Sequence, residues 1–177
     1  MKILTVSGSL RAASSNARAL QAVVLLAPQE WTIRPCRPLD QLPFFNPDVE
    51  QAGLPDAARD WRADIAWADA VIISSPEYAH GVPGVLKNAL DWLVGGIEIT
   101  DKPIALFNAT PPAEFAHASL RETLRVMGGK VIDDASIALA LRGRSIDARG
   151  IADDAQLSSA ILSALDALRS SVLAARQ

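Results

Sequence analysis

The stretch Gly8-Ser9-Leu10-Arg11-Ala12-Ala13-Ser14-Ser15-Asn16 brings together three hydroxyls, one guanidinium and one carboxamide. A phosphate monoester dianion needs several donors converging on its oxygens, in a region of positive potential. Ser9, Ser14, Ser15 and Asn16 can donate, Arg11 can donate as a bidentate fork, and a helix beginning here would add free backbone N–H groups and its dipole. A plainer reading makes Ser14, Ser15 or Asn16 a helix N-cap and leaves Arg11 in solvent. Taken singly, each residue suits capping; the whole cluster directly after an apolar strand favours phosphate. The later glycines of a dinucleotide G-x-G-x-x-G are missing. So is the Gly-Lys-Ser/Thr of a Walker A loop. The loop suits a mononucleotide.

A second group lies between Ser74 and Trp92. Pro76 stops a strand, Gly81 permits a tight turn at positive φ, and Pro83 suits the first turn of a helix. Glu77, Tyr78 and His80 are thereby held on an ordered loop. A flat heteroaromatic ring would find there a surface to stack on and backbone groups for its polar edge. The bland readings are a surface tyrosine, a solvated loop histidine and, for Lys87 and Asp91 at i, i+4, a weak exposed ion pair. Asn88 reads as helix surface, and Trp92 as either core or subunit contact.

The elements that position these loops alternate between strand and helix. Ile3 to Ser7 reads as a buried strand. From Asn16 the period becomes helical, with Leu20, Val23, Val24 and Ala27 on one face. Trp31 to Pro35 is a second strand. Arg37 to Pro55, with Pro38, Pro43, Pro47, Gly53 and Pro55, reads as one long loop. A helix over Asp56 to Trp67, a strand over Ala70 to Ser74 and a helix from Pro83 follow. Next come a strand over Pro103 to Phe107, a helix over Glu114 to Gly128 and a strand over Lys130 to Ile137. A final helix carries Leu157, Ile161, Leu165 and Leu168 at helical spacing. This order predicts a parallel sheet covered by helices on both faces, in either the flavodoxin-like or the Rossmann-like strand order. Ligands in such sheets bind beyond the carboxyl ends of the strands, at the switch point. The loops after Ser7, Ser74 and Phe107 are therefore the ones to examine.

Composition sets the limits. The 177 residues suit one domain over residues 1–177, half of them are hydrophobic and 21% are charged, and the net charge is −3. That balance gives no general attraction to nucleic acid or to an anionic membrane, so any anion site must be local. Cys36 is the single cysteine, and His80 and His117 are the two histidines, which predicts neither an internal disulfide nor a metal centre. The apolar run Met1 to Val6 is short for a signal peptide and nothing reads as a membrane span, so the expected location is the cytoplasm.

Both loops together resemble the NADPH-dependent FMN reductase family, a flavodoxin-like group that includes chromate, quinone and azo-dye reductases. The resemblance rests on Gly8-Ser9-Leu10-Arg11 with Ser14 and Asn16, and on Pro76-Glu77-Tyr78 with Gly81, Pro83-Gly84, Leu86-Lys87-Asn88 and Asp91-Trp92. Leu42-Pro43-Phe44-Phe45-Asn46-Pro47-Asp48 is similar to the family's loop after the second strand. These motifs span the first half of the chain. The resemblance implies a flavodoxin-like three-layer sandwich whose five-stranded parallel sheet runs 2-1-3-4-5. It also implies non-covalent FMN with its phosphate on Ser9, Arg11, Ser14 and Asn16, and the Pro76 to Gly81 loop beside the ring. NADPH or NADH would be the electron donor, a small molecule the acceptor, and a homodimer or homotetramer the assembly. The chain departs from the family at Ala79, where Asn is usual. It departs again at Asn108-Ala109-Thr110-Pro111-Pro112-Ala113-Glu114-Phe115, which lacks the glycines of the usual loop. Asn108 or Thr110 would there supply side-chain contacts to the flavin. The alternative is a module that binds FMN or another phosphorylated ligand and acts through a partner without turnover.

Overall fold

The computed structural model describes residues 1–175. Its centre is a parallel sheet built from β1 (Lys2–Ser7), β2 (Thr32–Pro35), β3 (Ala70–Ser74), β4 (Pro103–Asn108) and β5 (Lys130–Val131), in the order β2-β1-β3-β4-β5. This is the flavodoxin-like order, and it decides between the two that the element pattern allowed. The register places Ser7 beside Ser74 and Ser74 beside Phe107. The three loops of interest therefore leave one edge of the sheet side by side.

Alternation along the strands builds two cores. Ile3, Ala70, Ile72, Ala105 and Phe107 face α1 (Ser15–Leu26), α6 (Ala148–Asp153) and α7 (Ala155–Ala174). Leu4, Val6, Val71, Ile73, Ile104 and Leu106 face α3 (Asp56–Trp67), α4 (Gly84–Asp91) and α5 (Glu114–Val126). The helix after β1 thus covers one face and the helix after β3 the other. That divergence makes the gap between the two loops the switch point. By length and composition α7 has the character of a membrane span, but Leu157, Ile161, Leu165 and Leu168 bury its apolar stripe in the first core.

Four expectations are corrected. The stretch 37–55 is not one loop: it holds a 3-10 turn at Leu39–Gln41 and α2 (Pro47–Ala52). Asn46 caps α2 by accepting from the Asp48 N–H at 2.9 Å, and Pro47 occupies the first turn, where its missing N–H costs nothing. The expected strand 130–137 is broken into β5 and β6 (Ile137–Ala138), which pair with opposite ends of β4, with a 3-10 turn at Asp133–Ala135 between them. At the break the Ser136 hydroxyl takes the place of backbone, accepting from the Leu106 N–H at 3.1 Å and donating to the Ile132 carbonyl at 2.8 Å. The buried face of α1 is Ala19, Leu20, Ala22 and Val23, while Val24 is exposed. The fourth concerns α6, which the periodicity did not reveal.

The motif Leu42 to Asp48 has a structural explanation. Asn88 on α4 accepts from the Phe45 N–H at 2.8 Å and donates to the Pro43 carbonyl at 3.0 Å, and the Trp92 indole donates to that same carbonyl at 2.8 Å. Phe45 meets Trp92 edge-on, with ring centroids 5.1 Å apart. Asn88 is therefore a loop clamp and not mere helix surface, and Trp92 belongs to the core. Lys87 and Asp91 form the expected surface pair at 2.6 Å.

Cys36 lies just beyond β2, on a cavity of about 280 Å³ between α1 and the loop after that strand. Burial first, and the nearby Asp64 second, push its thiol from the ordinary 9.0 up to about 12. The thiol stays protonated at neutral pH and nucleophilicity belongs to the thiolate. Native protein is therefore expected to react slowly with a disulfide reagent at pH 8 and promptly once unfolded in urea. The same shift makes the folded state prefer the protonated thiol. Its contribution to stability is complete below the ordinary pKa and is lost as pH climbs toward about 12.

Candidate functional site

The loop after β1 is drawn tight against the loop after β3. Gly8 donates its N–H to the Ser74 carbonyl at 2.9 Å, and a Cβ at Gly8 would stand 2.6 Å from the Ser75 hydroxyl. Glycine is needed there for close approach. Ser7 and Ser9 close a small ring, the Ser7 hydroxyl accepting from the Ser9 N–H and donating to the Ser9 carbonyl, both at 3.2 Å. The Ser9 hydroxyl accepts from the Arg11 N–H at 3.3 Å. Together these bonds shape the turn that delivers the chain to α1.

At the start of α1 both readings of the serines find a place. Ser14 is the N-cap, accepting from the Ala17 N–H at 3.4 Å, and is buried. Asn16 is buried too, and its Oδ1 accepts from the Ser74 hydroxyl at 2.9 Å, tying α1 to the end of β3. Ser15 accepts from the Arg18 guanidinium at 3.0 Å. What remains is a set of donors with no acceptor among the described residues: the N–H groups of Ser15 and Asn16, the Asn16 Nδ2 and the exposed Arg11 guanidinium. Free donors, a helix N-terminus and a cation favour an anion of small size. This is the fit an FMN phosphate needs.

The loop after β3 is a two-stranded turn. Tyr78 and Gly81 exchange N–H to carbonyl bonds of 3.1 and 2.9 Å, and the central residues Ala79 and His80 have φ of 48° and 60°. The positive φ expected at Gly81 therefore falls on the two residues before it, because a turn of this hand needs left-handed backbone at both central positions. Neither Ala79 nor His80 favours that region. Ala79→Gly is accordingly expected to raise stability by about 0.5–1 kcal/mol, read as a higher urea midpoint at unchanged slope.

Two grooves flank this turn. One, of about 410 Å³, is lined by Gly8, Leu10, Arg11, Tyr78, Pro83, Gly84 and Val85, and so joins Arg11 to Tyr78, which is 51% exposed. The other, of about 440 Å³, is lined by Glu77, His80, Pro112, Glu114, Phe115 and Arg142. In it the His80 ring stacks on Phe115 at 4.3 Å and 20°. The glycine-free segment after β4 thus meets the turn through an aromatic side chain. Asn108 and Thr110 do not line either groove. The Asn108 side chain is turned onto its own loop, accepting from the Thr110 N–H at 3.2 Å, while its carbonyl accepts from the Leu139 N–H at 2.7 Å.

Glu77 has a role its motif did not reveal. Its Oε2 accepts from the Ala116 N–H at 2.8 Å, capping α5, whose own N-cap residue Ala113 has no side chain to do so. The carboxylate thereby ties the loop after β3, where Pro76 is buried, to the helix after β4. His117 follows Ala116 on α5; burial first holds its imidazole below the ordinary value, against the opposing pull of the Ser75 backbone. His117, Arg18 and Arg142 were not among the expected site residues. Arg142 reaches the second groove from the segment after β6, and Arg18 reaches Ser15 from the next turn of α1.

The NADPH-dependent FMN reductase family matches residues 1–142. An NAD(P)H-dependent FMN reductase of Pseudomonas aeruginosa is 32% identical, over 96% of this chain and 94% of that protein. A quinone reductase of Escherichia coli is 34% identical, but over only 59% of this chain and 55% of its own length. Among solved structures, the flavoenzyme NAD(P)H:(acceptor) oxidoreductase FerB of Paracoccus denitrificans superposes with a TM-score of 0.81 at 24% identity, covering 96% of this chain and 97% of that one. The sheet and its strand order agree with the fold of that structure, and the chain belongs to the NADPH-dependent FMN reductase family.

Proposed function

We propose that this chain is an FMN-dependent NAD(P)H oxidoreductase, folded as one domain, that passes electrons to a small acceptor: a quinone, a free flavin, an azo compound or a metal oxyanion. The observation that carries the reading is the set of unpaired donors at the start of α1, set at the switch point between β1 and β3. In this reading Ser9, Arg11, Ser14, Ser15 and Asn16 hold the phosphate. Pro76, Glu77, Tyr78, His80 and Gly81 border the ring, and Asn108 and Thr110 shape the loop behind it. The relatives named as FMN and quinone reductases support the reaction class.

Bound FMN would supply the two-electron redox chemistry between NAD(P)H and the acceptor. The chain's own residues bind and orient. Arg11 and the helix N-terminus neutralise the phosphate, and the Glu77 to Ala116 bond fixes the loop that borders the ring. The stacked His80 and Phe115 offer a flat surface on the groove beside that loop. No side-chain nucleophile is required. A homodimer or homotetramer in the cytoplasm is part of the proposal, with the outward Phe44 and Ile97, 92% and 84% exposed, as side chains a subunit contact would cover.

Steady-state oxidation of NADPH with a quinone as acceptor tests the reading. Parallel double-reciprocal lines, the sign of donor and acceptor reacting in turn, are expected. Protein that takes up FMN but is not reduced by NADPH or NADH would instead be a flavin-binding module acting through a partner.

A further inference from the structure

We propose that Arg18 is a positioning residue of the phosphate site, acting through the Ser15 hydroxyl. The inference rests on the FMN reading above and adds a second cation to it. Ser15 and Arg18 stand one helical turn apart at the start of α1. The guanidinium is fixed on two sides: Nη1 donates to the Ile146 carbonyl at 2.6 Å, and Nη2 donates to the Ser15 hydroxyl at 3.0 Å. Ile146 itself packs against the first core, so the anchor is not a loose surface group.

A hydroxyl has one proton and two lone pairs. Arginine never gives up its charge, so toward Arg18 the Ser15 oxygen can only accept. Its own proton is turned away from the cation, and no acceptor among the described residues takes it. A hydroxyl polarised by a guanidinium is a stronger donor than one hydrogen-bonded to water. This one sits in the first turn of a helix, beside the unpaired N–H groups of Ser15 and Asn16. The geometry therefore points Arg18's charge at the phosphate by relay, while Arg11 reaches it directly from the loop. The competing role is structural: Arg18 could serve only to clasp the segment after β6 to α1 through Ile146.

Comparing FMN with riboflavin, which lacks the phosphate, separates the two roles. Fluorescence-quenching titrations of the whole chain give the ratio of the two affinities for wild type, Arg18→Met, Ser15→Ala and the double variant. The relay predicts that each single substitution lowers the FMN-to-riboflavin ratio about tenfold, the scale of one charge-assisted hydrogen bond. It also predicts that the double variant is no worse than Ser15→Ala alone, because both act through one bond. Riboflavin affinity is expected to change less than twofold. Equal losses for the two flavins would overturn the relay in favour of the clasp. So would an unchanged ratio in Ser15→Ala, which decides the matter even if Arg18→Met does not fold. Losses that multiply in the double variant would show two independent contacts and overturn it as well. Wild type that binds FMN no better than riboflavin would sink the phosphate reading itself, before any variant is compared.

Discussion

Arg11→Ala is expected to weaken FMN binding by about 1.5–3 kcal/mol, the scale of losing a charged hydrogen-bonding partner. The side chain is exposed and has no partner among the described residues, so its removal leaves no broken contact within the protein. Stability should stay within about 0.5 kcal/mol of wild type, as for surface substitutions away from structural features. Riboflavin binding should be nearly unaffected. Equilibrium titration followed by flavin fluorescence checks all three statements, with urea unfolding as the control. Unchanged FMN affinity would place the phosphate elsewhere.

Trp92→Ala should cost about 3–5 kcal/mol of stability, the range for removing a large buried aromatic. Trp92 is fully buried in the second core, and its backbone carbonyl accepts from Arg62 Nε at 2.8 Å. The indole also supplies one of the two bonds to the Pro43 carbonyl, so its loss loosens the loop that presents Phe44 and Phe45. Trp92→Phe keeps most of the apolar volume and drops the N–H, and is expected to cost about 1–3 kcal/mol, a partly filled site plus an unmade bond. Urea denaturation of the three proteins measures this. A Trp92→Ala protein as stable as wild type would place the indole in a contact between subunits and not in the core.

How much of this was legible in the sequence depends on the kind of signal. α3 and β3 lie within the limits read from periodicity, because Asp56 to Trp67 is bounded by Pro55 and Val71-Ile72-Ile73 is an unbroken apolar run. The break between β5 and β6 was hidden because a side chain, Ser136, completes the ladder there, and periodicity counts only apolar positions. Pro47 has the residue type of a loop breaker, but after Asn46 it starts a helix. In the site, residue type identified the donor cluster, but burial divided its labour: Ser14 caps, Asn16 ties two loops, and Arg11 stays free. The carboxylate of Glu77 could not be assigned to α5 before the sheet order was known. The two lie 39 residues apart and meet only because β3 and β4 are neighbours.

If the turns after β1 and β3 together hold a flavin, NAD(P)H should reduce it there. Anaerobic titration of the FMN-loaded protein with NADPH, followed through the flavin absorbance bands, tests it most directly. The yellow colour is expected to be bleached by one equivalent of NADPH and to return on adding a quinone. A protein that fails to retain FMN through gel filtration, or one that stays yellow under both NADPH and NADH, would contradict it.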